Sequence, residues 1–288
     1  MEYLFHLFII FCIFSMLALT LNLVVGFTGL PSLAHAGFFG IGAYTTAIMT
    51  TRFEGNFFVS IVVGLVITFA VAFFLGLVLG RFRDDYFLLV TLAFVFIMQR
   101  IFLNWGEVTR GPLGIPGIPP PVIFGVSLSQ PWLYALLLAG ALVLVYGACH
   151  FLVSSSFGRV LKAIREDEDA LKVFGYRTDQ YKLAVFSLSA LGAAFAGAFY
   201  ASYISFIDPS TFTVHDSVFI WAIIVLGGLA RLRGSLVGAL ILVVLPEALR
   251  FVGFSPDAAA QMRVLIYGAL LVGMLLYRPQ GLVGEYRL

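Results

Sequence analysis

From Phe57 to Gly80 the chain carries no charged side chain. Such a stretch has few places to go. About 20 apolar residues in a helix cross the hydrocarbon of a bilayer, whereas a helix of a soluble domain needs only one apolar stripe. The pattern repeats. Further apolar runs cover about Tyr3–Val25, Ser32–Thr51, Tyr86–Leu103, Trp132–Val153, Leu183–Ile207, Ser217–Ala230, Ser235–Leu249 and Val264–Tyr277. Over 288 residues, hydrophobic side chains make up 61% and charged ones 11%, against roughly 45–50% and 25% in soluble domains. Too few polar groups remain to cover a water-exposed surface of that size. This argues against a soluble enzyme or a disordered chain. A net charge of +2 offers no basic stripe for nucleic acid. The expected fold is an all-α polytopic membrane protein, a single transmembrane domain over residues 1–288. It has about eight to nine transmembrane helices, some broken at Gly or Pro.

Charge in the connections orients the spans, because cytoplasmic loops are enriched in Lys and Arg. The segment 154–182 holds Arg159, Lys162, Arg165, Lys172, Arg177 and Lys182. Placing it in the cytoplasm and alternating sides also puts Arg81, Arg83, Arg231, Arg233, Arg278 and Arg287 inside. Arg52, Arg100, Arg110, Arg250 and Arg263 fall outside. The N-terminus is then external and the C-terminus cytoplasmic. Parity favours nine crossings, although Ser217–Ala230 is short for a span and Ser32–Thr51 is rich in Gly, Ala and Thr. The opening Met1-Glu2-Tyr3-Leu4-Phe5 lacks Lys and Arg, so the first run reads as a retained helix rather than a cleaved signal.

Two loops stand apart. The external one, about 104–131, carries six of the eleven prolines and predicts a stiff irregular cap without helix or central strand. It is either a proline-stiffened linker or a surface for an external partner, with Ile118 expected to be open to reagents from that side. In the cytoplasmic loop, about 154–182, Val160, Leu161, Ile164, Leu171 and Phe174 recur at helical spacing, and Gly175 supplies a stop. This predicts one amphipathic helix with an acidic centre and an apolar face that wants a partner.

No catalytic set is visible. His6, His35, His150 and His215 are scattered, and Cys12 and Cys149 lie far apart in apolar runs, without metal or redox spacing. No glycine is followed by lysine, so no P-loop is present and ATP hydrolysis must belong to another chain. Glu247, near the end of an apolar run beside Pro246, reads as snorkelling to the interface. Scarce buried carboxylates count against an ion-coupled secondary transporter. A passive channel for a small neutral solute is the other rival.

Glycine-rich stretches are more informative. Gly29 and Pro31 would break a helix at membrane depth, where broken backbone survives only inside protein or beside a cavity. A second stretch follows at Gly227 and Gly228. Each has Gly-Leu followed by Gly-Ala after a gap, a hint of an internal repeat around a pathway. Thr28, Gly29, Ser32, His35, Gly37, Gly40, Gly42, Tyr44, Gly227 and Gly228 are therefore candidates to line a translocation path. Close helix packing is the competing reading for each glycine, and a packed, hydrogen-bonded role is the competing reading for His35.

The run Asn22–Tyr44 (NLVVGFTGLPSLAHAGFFGIGAY) resembles the signature of branched-chain amino acid ABC importer permeases. So do Ser156-Phe157-Gly158-Arg159 with Ala163–Glu168, and Val225–Leu229 followed by Gly234, Gly238-Ala239 and Leu245-Pro246-Glu247. Tyr277–Leu282 fits as well. The pattern is most similar to the LivM-type subunit of the pair. The resemblance implies a permease in the bacterial or archaeal cytoplasmic membrane, with a second related permease subunit, two ATPase subunits and a periplasmic substrate-binding protein. ATP and Mg would be held by the ATPase subunits, with no cofactor in this chain. It further implies a cytoplasmic coupling helix on 156–175. Glu168, Ala170 and Gly175 lie near the importers' Glu-Ala-Ala…Gly pattern, with Asp169 at its middle position. Arg159, Arg165, Glu166, Asp167, Glu168, Ala170 and Gly175 are the implied ATPase contacts. Related permeases carry urea, short amides and other amino acids, so the substrate is less defined than the architecture.

Overall fold

A computed structural model describes residues 2–80, 82, 84–123, 126–250, 262, 265–269, 272–273, 276–277 and 280–283. Helix α1 (Glu2–Asn22) continues as a π-helical turn, Leu23–Phe27, and the chain becomes helical again at α2 (His35–Arg52). Then come α3 (Phe57–Leu79), α4 (Asp84–Asn104) and the short α5 (Gly106–Thr109). After the proline-rich loop follow α6 (Pro131–Ser154), α7 (Ser156–Glu166) and α8 (Glu168–Val173). The long α9 (Thr178–Ile204) precedes α10 (Val214–Gly227) and α11 (Leu232–Arg250).

Starts are set locally. Asn56 accepts from the Phe58 amide at 2.8 Å and caps α3. Pro131 opens α6 where no amide hydrogen is needed. Thr213 and Asp216 form a capping box on α10.

Among the described residues, six helices are long and apolar enough to cross a membrane: Glu2–Phe27, Phe57–Leu79, Asp85–Asn104, Pro131–Ser154, Thr178–Ile204 and Pro209–Gly227. Ser217–Ala230, short as an apolar run, therefore gains length on its N-terminal side from the turn over Pro209–Thr211. Helix α2 is not apolar enough to join the six, yet its first ten residues are all buried, because other helices of the chain surround it rather than lipid. Part of the expected last run, Val264–Tyr277, lies outside the described residues, as do Arg81, Arg83, Arg263, Arg278 and Arg287 and the side chains of Glu247 and Arg250.

Helix α9 is the spine. Its inner positions are small: Ala190, Ala193, Ala194, Ala196, Gly197, Ala198 and Ala201 are buried. Small side chains let backbones close in where lipid supplies no hydrophobic drive between helices. Helix α1 runs antiparallel to α9, since the His6 ring meets the Tyr203 hydroxyl at 2.7 Å while the Ser189 hydroxyl bonds the Thr20 carbonyl. Helix α2 lies on the same spine. A Cβ on Gly197 would sit 2.1 Å from the Phe39 carbonyl oxygen, and one on Gly42 would sit 2.0 Å from that of Ala194.

The bundle has two distinct ends. One carries the N-terminal turn of α1, the C-terminus of α9 and the proline-rich loop. The loop is more structured than its composition predicts. Ile115–Pro116 (β1) pairs antiparallel with a strand at Phe206–Ile207, and Val122–Ile123 (β2) pairs with Val126–Ser127 (β3). The strand at Phe206–Ile207 is β4. The proline problem is met by a two-residue edge pairing, and Pro119 supplies only its carbonyl, to the Ser202 hydroxyl at 2.8 Å. Ile118, expected to be accessible, is 2% exposed, because its amide bonds the Ser205 carbonyl and its side chain turns into the core. Leu113 is an outward residue of this loop, 81% exposed. The opposite end, the foot, carries α7, α8, the start of α9 and residues 281–283, whose Leu282 and Val283 amides bond the Leu226 and Gly227 carbonyls at 3.0 Å.

Because Gly42 faces backbone rather than a movable side chain, Gly42→Leu should cost more than the ~1–3 kcal/mol usual for overpacking. Gly140→Ala, with nothing within 4 Å of its Cβ, should unfold with the parent. Thermal unfolding in detergent of the two variants checks the contrast.

Candidate functional site

The two glycine-rich stretches do break their helices. In the first, the chain is non-helical from Thr28 to Ala34, with Gly29 at φ +76°. Unpaired backbone shut away from water costs free energy for every group, so the partners matter. The Gly29 and Leu30 amides return to the Val25 and Val24 carbonyls at 3.2 and 3.1 Å. The Leu33 amide donates to Thr91 Oγ1 of α4 at 3.1 Å. The Trp221 indole of α10 donates to the Ser32 carbonyl at 2.7 Å. The Ser217 hydroxyl, also on α10, donates to the Leu33 carbonyl and accepts from the Ala36 amide. Side chains from other helices thus replace the missing helical bonds.

The second break joins α10 to α11. Gly228 sits at φ +115° and Ala230 at φ +58°. Gly227 meets Gly234 backbone to backbone, where a Cβ would lie 2.0 Å from the Gly234 carbonyl oxygen. Its open groups are met by one residue of the first half of the chain. Asn22 Nδ2 donates to the Arg231 carbonyl at 3.1 Å and to Ser235 Oγ at 2.8 Å, and its Oδ1 accepts from the Ala230 amide at 3.0 Å. Asn22, at the end of α1 just before the π-helical turn, therefore satisfies the second break from the first half of the chain. Gly26 makes room for it: a Cβ there would sit 1.7 Å from Asn22 Oδ1 and 2.6 Å from the Ala230 nitrogen.

The other candidate path residues lie in the packed centre. Thr28 and Ser32 are buried within the first break. Gly37 faces the Phe94 ring, and Gly40 faces the Phe102 and Phe212 rings. Tyr44 stacks on Phe102 at 4.4 Å and borders an apolar cleft of about 450 Å³ with Ile48, Met98 and Trp105. His35 Nε2 stands 3.4 Å from Thr20 Oγ1 and 3.3 Å from Ser189 Oγ, in a packed setting.

At the foot, the structure corrects the expected single helix over 156–175. Asp167 is extended (φ −157°, ψ 98°) and divides it into α7 and α8. Its carboxylate accepts from the Ala170 amide at 2.9 Å, so the residue caps α8 instead of continuing α7. The apolar stripe is also differently used. Leu161 and Ile164 are buried against this chain's own π-helical turn and α9 foot, with Phe157 stacked on Tyr181 at 5.5 Å. What faces outward is the tip of α8: Val173 is 86% and Phe174 80% exposed, followed by Gly175 at φ +84°. Glu166 and Asp169 are exposed beside them, and Arg159 Nη2 donates to Ser156 Oγ at 2.8 Å. Ala170 is partly buried.

One expected contact residue, Arg165, turns inward, and its neighbour Lys162 does so too. The Arg165 guanidinium donates to the Gly26 carbonyl, and Lys162 lies 5.7 Å over the Phe27 ring. A polar cleft of about 280 Å³ separates Thr28, Gly29 and Leu30 from Arg165, Glu166, Asp167 and Glu168. Glu168 bonds Lys172 at 2.8 Å, Lys182 at 2.9 Å and the Thr178 hydroxyl at 3.0 Å. Lys182 is only 3% exposed. Burial pushes the Glu168 carboxyl up, but hydrogen bonds from Lys172 and Lys182, the Lys182 charge and Thr178 outweigh it and hold it down at about 2. By sequence, Asn22 and Ser235 were not named as site residues, and Arg231 and Lys182 served only as cytoplasmic charges. Asn22 and Lys182 had one signal, a strongly polar residue at the edge of an apolar run.

A model of the family described as branched-chain amino acid transport system, permease component, matches residues 3–275. The chain belongs to this family. The high-affinity branched-chain amino acid transport system permease protein LivM of Salmonella typhimurium is 35% identical over 94% of this chain and 68% of its own length. Its namesake in Escherichia coli K12 gives the same identity and coverage. A probable LivM of Methanocaldococcus jannaschii is 25% identical over 96% of this chain and 91% of its own length. The autoinducer 2 import system permease protein LsrC of Escherichia coli is 32% identical over 54% of this chain and 43% of its own length. No solved structure matches significantly.

The Glu168 clamp is an ionic element of this permease foot. A carboxyl held below its unfolded value stabilises fully above the ordinary carboxylate range, about 4.3. That contribution fades as pH falls toward about 2. Glu168→Gln should therefore cost about 2 kcal/mol at pH 7, since it leaves a buried ammonium short of charge. The gap to the parent should close on titration toward pH 2, followed by thermal unfolding in detergent.

Proposed function

We propose that this permease component is one membrane-spanning subunit of an ATP-driven importer that carries branched-chain amino acids. The full pore is completed by a second related permease. A periplasmic binding protein delivers the amino acid at the end bearing the proline-rich loop, and two ATPase subunits dock at the foot. The N-terminus is then external, and the foot with residues 281–283 cytoplasmic. The chain itself makes and breaks no covalent bond. ATP closes the ATPase pair, the foot moves, and the pore alternates its openings by differential stabilisation of two states.

The observation that carries this reading is the foot, on a chain whose family is that of the permease components. A short helix with an apolar tip, Val173 and Phe174, projects from the bundle between exposed charges. An apolar anchor ringed by charge suits docking into a protein groove: the anchor supplies affinity and the rim specificity. Glu168, Lys182 and Asp167 hold the tip at a set angle. The moving parts of the path are the breaks around Thr28–Ser32 and Gly227–Gly228, while Gly37, Gly40, Gly42 and Tyr44 hold α2 in the core behind them.

Reconstituted with both ATPase subunits, the second permease and the binding protein, the chain should support ATP-dependent uptake of leucine, isoleucine or valine into proteoliposomes. Uptake of urea or a short amide but of none of the three would reassign the substrate, and uptake without ATP would favour a channel or secondary transporter. Phe174→Ala should lower co-purification of the ATPase subunits roughly tenfold while the permease pair stays assembled, as expected for loss of an anchor worth about 1–2 kcal/mol. A cysteine at Leu113 should react with an impermeant maleimide added outside intact cells. Labelling only after the cytoplasmic face is opened would reverse the orientation.

A further inference from the structure

The foot is fastened to the π-helical turn and to the second break through one short polar relay. The Arg165 guanidinium, on α7, holds the Gly26 carbonyl at the end of the π-helical turn. Gly26 lies directly against the Asn22 amide, which leaves no space for a side chain between them. That amide grips the second break at the Ala230 amide, the Arg231 carbonyl and the Ser235 hydroxyl. The second break in turn holds residues 281–283 through the Leu226 and Gly227 carbonyls.

We propose that Asn22 and Arg165 are positioning residues that make the π-helical turn and the second break follow the foot as one unit. The proposal rests on the reading that an ATPase docks there. A helix with free ends would absorb a small displacement by fraying. Here the pull of α7 arrives at a carbonyl of a widened turn, and any shift of that turn displaces an amide that satisfies three groups across the break. Leaving those groups unpaired in a dry interior is costly, so the low-energy response is for both segments to move together. The packing at Gly26 leaves no slack in the relay.

The test uses the full reconstituted importer, with leucine taken up per ATP hydrolysed as the readout. A parent complex that shows no ATP-driven leucine uptake would defeat the functional reading, separately from the relay. With an active parent, Asn22→Ala should still assemble and hydrolyse ATP within about twofold of the parent, while uptake per ATP falls at least tenfold. Arg165→Ala should lower the same ratio by a similar factor. The double variant should be no worse than the poorer single one, because two links in series fail once, whereas independent contributions multiply. Asn22→Ser, which keeps a donor and acceptor on a shorter stem, should recover part of the ratio. Parent-like uptake per ATP in either single variant, a multiplicative double, or loss of assembly in Asn22→Ala and Asn22→Ser alike would each overturn the relay. The last result would make Asn22 a packing residue only.

Discussion

Broken backbone in a dry interior must find partners, and that requirement organises this molecule. Thr28–Ala34 and Gly228–Arg231 are two places where a helix stops and the chain turns back within the bundle. Each is tolerated because side chains from distant helices take over the missing bonds: Thr91, Ser217 and Trp221 for the first break, Asn22 for the second. These are among the few polar side chains that an apolar chain places inside, and their positions dictate which helices must be neighbours. Helix α10 has to lie against the start of α2, and α11 against the end of α1.

The small-residue spine works in the same direction. The alanines and Gly197 of α9 draw α2 to backbone contact, so α2 tolerates modest hydropathy without facing lipid. Shielded by neighbours, it carries His35 and four threonines that a lipid-facing helix would expose at a cost. The outer helices do the opposite. Phe74, Phe96 and Leu136 stand outward on α3, α4 and α6, where hydrocarbon is the better solvent for them.

The foot combines rigidity with an offered surface. Asp167 stops one helix and starts the next, and Glu168 ties the second to a buried lysine of α9. Leu161 and Ile164 glue the first to the bundle. Only then do Val173 and Phe174 stand free. A flexible charged loop could not present an apolar tip in a fixed direction, and ordering such a loop on docking would consume much of the contact energy.

Much of this was legible in the residues. Lengths and charge gaps located the runs behind α3, α4, α6 and α9, because burial in lipid demands a local property, continuous hydropathy. Gly29, Pro31 and Gly228 announced breaks, since glycine at positive φ and proline in a helix are local constraints. The division at Asp167 escaped notice: a carboxylate in a charged stretch reads equally as rim or as cap until the Ala170 amide is seen to point at it. The apolar stripe of α7 was visible, but which protein surface covers it is a matter of distance in space, and the bundle itself covered Leu161 and Ile164. Asn22 is the clearest case. Its type in an apolar run signals a buried partner, yet those partners are more than two hundred positions away in the chain. Local sequence thus determined where helices form and stop. Only the tertiary structure decided which distant side chain serves each stop, because hydrogen-bond satisfaction across a bundle depends on who the neighbours are.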